Sequence, residues 1–245
     1  MKVLRNAQFY RILICLFYLL FFLSISLTGN FKIFVKKLYF PYIIIGILIL
    51  LFILVIEIKK EKRFKELSVY DILSFIIFLF PILLFLIVKP TTLPTYAAMK
   101  RGIQTEFLSE DILKSLHEKI ETEGKYKKLT IKQILALSKS KPEEINEKDV
   151  AVEGMVYKNE GKFTLIRFLI TCCAADATPL GVEVEYEKSE EKSTGELIAQ
   201  KEKKEEFKNE DWVKVKGKVK IENGKVKIIA EEIEKVEQPS DPYLY

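Results

Sequence analysis

The fold is decided by V-A-V-E-G-M-V at residues 150–156, a stretch that returns as V-K-V-K-G-K-V at residues 213–219. In both copies, alternate positions hold Val, Val, Gly and Val. This period of two residues predicts a β-strand with one buried face. A glycine inside a strand is typical of a bulge or of a closely approaching backbone. The repeat therefore predicts two curved strands of one small sheet.

Three more segments carry strand patterns, at residues 163–174, 182–186 and 225–236. The tripeptide E-N-G at residues 222–224 predicts a hairpin turn between the last two strands. Five short strands with glycine-marked corners predict an OB-like Greek-key β-barrel over residues 149–245, which ends in a C-terminal tail. A different small β-sandwich or an open roll remains the alternative at this point.

The charged residues are divided unevenly along the 245-residue chain. Residues 1–89 contain 12 Lys/Arg and 4 Asp/Glu, a net charge of +8, whereas residues 90–245 contain 27 and 30, a net charge of −3. A basic front part with long uncharged stretches, followed by an acidic back part, excludes a single globular domain. Aliphatic and aromatic residues are abundant in both parts, which excludes a disordered chain. Only 10 Gly and 3 Cys exclude a collagen-like or disulfide-scaffold protein.

Three uncharged apolar stretches predict transmembrane helices at residues 12–28, 38–56 and 72–88. Helices of this length cross most or all of a hydrocarbon core of about 30 Å. Residues 1–89 are therefore predicted to be a membrane-spanning region in contact with the lipid bilayer. Because the stretches show no buried charge pair and no inverted repeat, we do not expect them to form a transport path alone.

Basic residues beside these stretches predict their orientation in a bacterial cell membrane. The second loop holds more of them than the first: Lys59, Lys60, Lys62, Arg63 and Lys65 against Lys32, Lys36 and Lys37. The positive-inside rule then makes the N-terminus and the second loop cytoplasmic. Three crossings leave the C-terminal domain extracytoplasmic. The first stretch could instead be a cleaved signal peptide, which would leave the C-terminal domain on the same outer side.

Residues 90–148 are predicted to be a linker and a helical segment. P-T-T-L-P at residues 90–94 is typical of extended chain, and apolar spacing predicts a helix at residues 109–121. T-I-K-Q at residues 130–133 has the pattern of a capping box and predicts the start of a second helix. The single histidine of the chain, His117, falls on the first of these helices and is interpreted as a surface residue without a ligand role.

The most unusual chemistry lies in T-C-C-A-A-D at residues 171–176. Neighbouring Cα atoms are about 3.8 Å apart, below the usual disulfide range of about 4.4–6.8 Å, so a Cys172–Cys173 bond would be strained. In a strand that continues to residue 174, the two thiols would point to opposite faces. Cys172 would then share a core face with Phe168 and Ile170. One interpretation is therefore two buried thiols that act as small hydrophobic side chains.

The other interpretation is a site for a soft metal or metalloid, with Cys172 and Cys173 as thiolate ligands and Asp176 as an additional ligand or a base. Adjacent cysteines supply too few ligands for a closed zinc site, and no second Cys/His cluster completes one. We expect no resident cofactor. Because the sequence provides no plausible general base beside the cysteines, we also expect no enzymatic activity.

Three strings carry a specific family resemblance. They are R-F-L-I-T-C-C-A-A-D-A-T-P-L-G-V at residues 167–182, D-W-V-K-V-K-G at residues 211–217, and P-S-D-P-Y-L-Y at residues 239–245. Together they resemble the YcgQ-like family of membrane permease subunits, whose members are usually encoded beside a multi-spanning permease. The resemblance implies an accessory subunit of such a permease, with the Cys-Cys-x-x-Asp motif at Cys172, Cys173 and Asp176. It assigns no catalytic residue.

Two functions follow as expectations. The first is an accessory permease subunit whose extracytoplasmic domain gates, caps or presents cargo. The alternative is a membrane-tethered extracytoplasmic binding module for a soft metal, a metalloid or a small ligand. We expect no nucleic-acid partner, since the back part of the chain is acidic. A nucleic-acid groove would need Trp212 and Phe163 on its surface. The charged stretch at residues 188–208 is interpreted as a solvated hairpin tip or a short exposed helix in preference to a recognition loop.

Overall fold

The computed structural model describes residues 7–60, 68–87, 91–106, 121–159, 161–186 and 207–245. The chain divides into two compact units. The first unit comprises Met1–Thr92 and the segment Cys172–Ala174, and the second comprises Leu93–Thr171 and Ala175–Tyr245. Several predicted features lie outside the described residues: nearly all of the helix at 109–121, including His117, most of the basic loop at 59–65, and nearly all of the charged stretch at 188–208.

Three long apolar helices form the first unit, as predicted. They are α1 (Ala7–Thr28), α2 (Phe40–Lys59) and α3 (Val69–Ile87). Each is long and apolar enough to cross a membrane. Two short 3-10 turns, Asn30–Ile33 and Lys37–Tyr39, connect α1 to α2. Because the backbone polar groups of a helix are paired internally, a helix with apolar side chains can lie in hydrocarbon without unsatisfied polar groups.

Helix α1 packs against both α2 and α3. Residues near the start of α1 contact residues near the start of α3, and residues towards its end contact residues towards the end of α3. The two helices therefore run in the same direction. Arg11 lies 3.8 Å from Asp71 near the start of both helices, and the rings of Phe21 and Phe85 meet edge to face near their ends, with centroids 4.8 Å apart. Helix α2 runs in the opposite direction, since Glu57 near its end lies beside Gln8 at the start of α1.

Seven strands form one sheet in the second unit. They are β1 (Glu121–Glu123), β2 (Tyr126–Lys128), β3 (Asp149–Asn159), β4 (Lys162–Leu169), β5 (Thr178–Tyr186), β6 (Trp212–Glu222) and β7 (Lys225–Lys235). The last five close into a barrel in the order β3-β4-β5-β7-β6, because β6 also pairs with β3. This order confirms the OB-like barrel and excludes the open roll. The β1-β2 hairpin extends the sheet from β3.

Two predicted strands have different bounds in the structure. The predicted end of the strand at residues 163–174 was wrong, because β4 ends at Leu169. The strand predicted at residues 182–186 begins earlier, at Thr178. Both differences concern the chain between β4 and β5, which contains the two cysteines.

The repeated glycines fit the barrel at positions where no side chain has room. The pairing of β6 with β7 shifts register between Lys216 and Gly217, which confirms a bulge. A Cβ on Gly217 would collide with the backbone carbonyl of Ile229, and one on Gly154 would collide with the side chain of Leu165. The sharp coiling of these strands therefore depends on the absence of a side chain.

Three shorter helices belong to the barrel unit: α4 (Thr95–Arg101), α5 (Ile131–Ser140) and α6 (Pro142–Ile145). The capping box predicted for α5 is present, with Thr130 and Gln133 bonded reciprocally. Helix α5 contributes Ile131, Ile134 and Leu135 to the barrel core. Helix α4 was not predicted, because seven residues are too few for an apolar period to be recognised.

An extended segment after α4 completes the barrel wall. On its β5 side, strand β7 pairs with the second half of β5, at residues 183–186. Gln104 occupies the neighbouring position on the first half, where its N–H donates to the Pro179 carbonyl at 2.8 Å and its carbonyl accepts from the Gly181 N–H at 3.0 Å. Gly181 is required there, because a Cβ would collide with the Ile103 side chain.

Candidate functional site

The C-terminal tail pairs with the end of β4. The Leu244 N–H donates to the Phe168 carbonyl at 2.8 Å, and the Ile170 N–H donates to the Leu244 carbonyl at 2.9 Å. This bridge holds Leu244 beside Leu169 in parallel. Beyond the buried Ile170 the chain leaves the sheet. The cysteines that follow therefore lie in a loop at the end of the strand and not within it.

A short 3-10 turn, Ala174–Asp176, closes this loop. Oδ1 of Asp176 accepts a hydrogen bond of 3.1 Å from the Thr171 N–H, so the carboxylate bridges the start of the loop to its end. At the far side the carbonyl of the buried Ala177 accepts from the guanidinium of Arg101. Both ends of the loop are thus fixed by hydrogen bonds, which restricts the positions of the side chains between them.

The two cysteine sulfurs lie on the same side of the loop. Sγ of Cys172 is 3.6 Å from Sγ of Cys173. The expectation that the thiols point to opposite faces was wrong, because the chain has already left the strand. The expectation of two buried thiols was wrong for Cys172, which is exposed, while Cys173 is half-buried.

The structure brings together all three residues of the predicted metal site. The Sγ atoms of Cys172 and Cys173 and a carboxylate oxygen of Asp176 all lie within 4.8 Å of one another. Two thiols and a carboxylate form a donor set that suits thiophilic cations, with sulfur as the soft ligand and oxygen as the hard one. Within the described ranges this group is the one cluster of at least three such side chains.

The backbone of the cysteine segment is paired within the first unit. Val35 and Cys173 form an antiparallel bridge. The Lys36 N–H donates to the Cys172 carbonyl at 3.1 Å, and the Ala174 N–H donates to the Phe34 carbonyl at 2.8 Å. These bonds use main-chain groups and fix the path of the chain through the two cysteines.

The C-terminal tail also covers a charged side chain of β4. Arg167 donates to the carbonyls of Asp241 and Pro242, and its guanidinium lies 5.6 Å from the centre of the Trp212 ring. Burial lowers the pKa of Arg167 from its ordinary value, and the Glu153 and Asp241 carboxylates act in the opposite direction. The tail string P-S-D-P-Y-L-Y was noticed in the sequence, but its role depends on contacts with residues more than 70 positions away.

Two aromatic residues that would have to line a nucleic-acid groove are buried. Phe163 belongs to the barrel core at 2% exposure, and Trp212 is 8% exposed beneath Arg167. Three lysines on β6 are paired with carboxylates: Lys214 with Glu123, Lys216 with Glu232 at 3.0 Å and Lys220 with Glu222 at 2.9 Å. These residues therefore provide neither stacking platforms nor an unbalanced positive surface.

Comparison with known proteins identifies a family but no named relative. The family model of the DUF1980 C-terminal domain matches residues 114–245 of the chain. Comparison with curated proteins gives no match.

Solved structures show only weak likeness. A Stn1-ten1 complex from S. pombe gives 18% identity and a TM-score of 0.24 over 38% of this chain and 62% of that one. An OBody bound to hen egg-white lysozyme gives 20% identity and a TM-score of 0.24 over 38% and 83%. Asparaginyl-tRNA synthetase from Pyrococcus horikoshii gives 19% identity and a TM-score of 0.25 over 40% and 23%. The chain thus spans less than two thirds of the first and third of these structures.

Proposed function

We propose that this chain, which belongs to the family of the DUF1980 C-terminal domain, is a non-enzymatic accessory subunit of a multi-spanning permease. Its three helices dock on the permease within a bacterial cell membrane. Its barrel lies outside the cytoplasm and presents cargo to the permease. The observation that carries this proposal is the exposed loop in which Cys172, Cys173 and Asp176 converge.

The charges of the helices support a role as anchor and docking surface. The described charged residues within the three helices are Arg11, Glu57, Lys59 and Asp71. All lie near the start of α1, the end of α2 or the start of α3, which share one side of the membrane in a chain of alternating direction. The apolar centres of the helices therefore provide no ionisable relay for cargo.

The orientation of the chain follows from the same residues. Basic side chains are concentrated at the start of α1 and between α2 and α3, so the positive-inside rule assigns this side to the cytoplasm. After three crossings the chain emerges on the other side, which also carries the α1–α2 loop. A barrel outside the cytoplasm can meet a cation before the permease does.

Co-purification tests the subunit proposal. A tagged full-length chain is extracted in a mild detergent from cells of its source organism, and membrane proteins that co-purify with it are identified by mass spectrometry. We expect the permease in near-stoichiometric amount. The Cys172→Ser/Cys173→Ser double variant is the matched control, and it should retain the permease because the thiols are not part of the docking helices. Repeated recovery of the chain without a permease would contradict the proposal.

A second candidate function is a membrane-tethered binding module that works without a permease and takes a soft metal, a metalloid or a small ligand. The convergence of two thiols and a carboxylate favours it as well. A growth experiment separates the two candidates. Strains that lack the chain, the permease or both are grown in the presence of soft metals and metalloids, and their sensitivities are compared. Equal sensitivity of all three strains supports the subunit. Sensitivity confined to loss of the chain supports the independent module.

A further inference from the structure

We propose that the loop of Cys172, Cys173 and Asp176 binds a thiophilic divalent cation of the zinc or cadmium class as a bent chelate, with an open position for exchange. This inference deepens the proposed function, since it names the class of cargo that the barrel would present. It rests on three features of the loop: the separation of the sulfurs, the third donor and the exposure of the site.

The separation of the sulfurs determines the angle at a bound ion. At the metal–sulfur distance of about 2.3 Å that is typical of Zn²⁺, two sulfurs 3.6 Å apart subtend an angle of about 100° at the metal. This value is close to tetrahedral. Linear coordination of a metal ion by two sulfurs would place the sulfurs about 4.6 Å apart, which is twice the same bond length. The observed spacing therefore favours a bent chelate over linear coordination.

The third donor is held in place before any ion arrives. Oδ1 of Asp176 accepts a hydrogen bond of 3.1 Å from the Thr171 N–H. A carboxylate oxygen of Asp176 lies within 4.8 Å of both sulfurs. A carboxylate oxygen beside two thiolates favours a divalent cation of borderline softness over an ion that takes sulfur alone. The donor set has a formal charge of −3 when both thiols are ionised, which also favours a cation.

The number of protein ligands fits transient binding. Structural zinc sites are closed by four protein ligands, whereas sites with three keep a position for water or an exchanging group. Here the described residues supply three, and Cys172 is exposed. An ion held in this way can leave by ligand exchange, as presentation to a partner requires.

Titration of the full-length chain in detergent with Cd²⁺, under reducing conditions, tests the inference. The readouts are the sulfur-to-metal charge-transfer absorption and the coordination number from X-ray absorption. We expect one ion per chain with two sulfur ligands and at least one oxygen. The Cys172→Ser/Cys173→Ser variant and Asp176→Asn should each weaken binding at least about tenfold. Cys15→Ser, which removes the thiol in α1, is the matched control and should bind as the native chain does.

Three results would overturn the inference: Cd²⁺ binding that survives in the double serine variant, a single sulfur at the bound ion, or binding of trivalent arsenite without binding of Cd²⁺. Protection of Cys172 from alkylation by bound Cd²⁺ gives a second measurement that needs no variant, and absence of protection counts against the site. The titration uses the chain alone, so its failure is distinguishable from failure of the permease to co-purify.

Discussion

The hydroxyl of Tyr18 donates a hydrogen bond of 2.8 Å to the carbonyl of Phe78, in the turn of α3 that precedes Pro81. Proline has no N–H to donate to the helical turn before it. In hydrocarbon, a neighbouring helix commonly satisfies the carbonyl groups in such a turn. Tyr18 thus joins α1 to α3 where the backbone pairing of α3 is weakest.

Replacing this hydroxyl should loosen the helix bundle. We expect Tyr18→Phe to destabilise the contact of α1 with α3 by about 0.6–2 kcal/mol, the range for hydrogen bonds between transmembrane helices. Thermal unfolding of the full chain in detergent, followed by helical circular dichroism, measures the change. Tyr42→Phe on the exposed surface of α2 is the matched control. Equal stability of the two variants would contradict the role of Tyr18.

A side chain at Gly217 should destabilise the barrel. Because a Cβ there collides with a backbone carbonyl of β7 that cannot move aside alone, we expect Gly217→Ala to cost about 3 kcal/mol or more, at the upper end for overpacked sites. The single tryptophan, Trp212, is buried in the barrel, so its fluorescence during urea unfolding reports on this unit. Lys218→Ala, at the exposed next position, should change stability by less than about 0.5 kcal/mol. Similar midpoints for both variants would refute the steric argument.

The barrel should lose stability in acid. Hydrogen bonds from Lys220 and Lys227 lower the pKa of Glu222 from its ordinary value of 4.5 to about 2. A carboxyl whose pKa is lower in the folded state stabilises that state above the ordinary pKa. This contribution is lost as the pH falls through the folded value. Glu123, Asp211 and Glu231 are shifted in the same direction, each mainly by a hydrogen bond from a lysine.

We therefore expect the urea concentration at the unfolding midpoint, measured by Trp212 fluorescence, to decrease as the pH is lowered from about 4.5 to about 2. The decrease should be less steep in Glu222→Gln. Glu121→Gln, at an exposed position on β1, is the matched control. Salt should reduce the difference between Glu222→Gln and the native chain, because these ion pairs are at the surface. An identical pH profile for Glu222→Gln and the native chain would be inconsistent with this account.

Thiol labelling tests the proposed orientation of the chain. Because Cys172 is exposed, we expect a membrane-impermeant maleimide to label the native protein in cells whose inner membrane is intact and whose outer layers admit the reagent. The Cys172→Ser/Cys173→Ser variant keeps only Cys15, inside α1, and should remain unlabelled. Labelling that requires rupture of the inner membrane would place the barrel in the cytoplasm and reverse the proposed topology.

Much of the fold could be predicted because its signals are local. Apolar stretches of 17–19 residues without a charge have few alternatives to a membrane span. Alternating valines around Gly154 and Gly217 indicate both the strands and their curvature. The identity of the site residues was also readable, since Cys172, Cys173 and Asp176 lie within five consecutive positions.

Sequence alone thus determined the helices, the barrel strands and the donor atoms of the site, because each depends on neighbours in the chain. Only the tertiary structure showed that β4 ends at Leu169, where it pairs with Leu244, 75 positions further along the chain. That end places both sulfurs on one side of a loop, 3.6 Å apart, where a continued strand would have turned them to opposite faces. The sequence pattern continues past Leu169, so the departure of the chain from the sheet, and with it the convergence of the two sulfurs, is visible only in the tertiary structure.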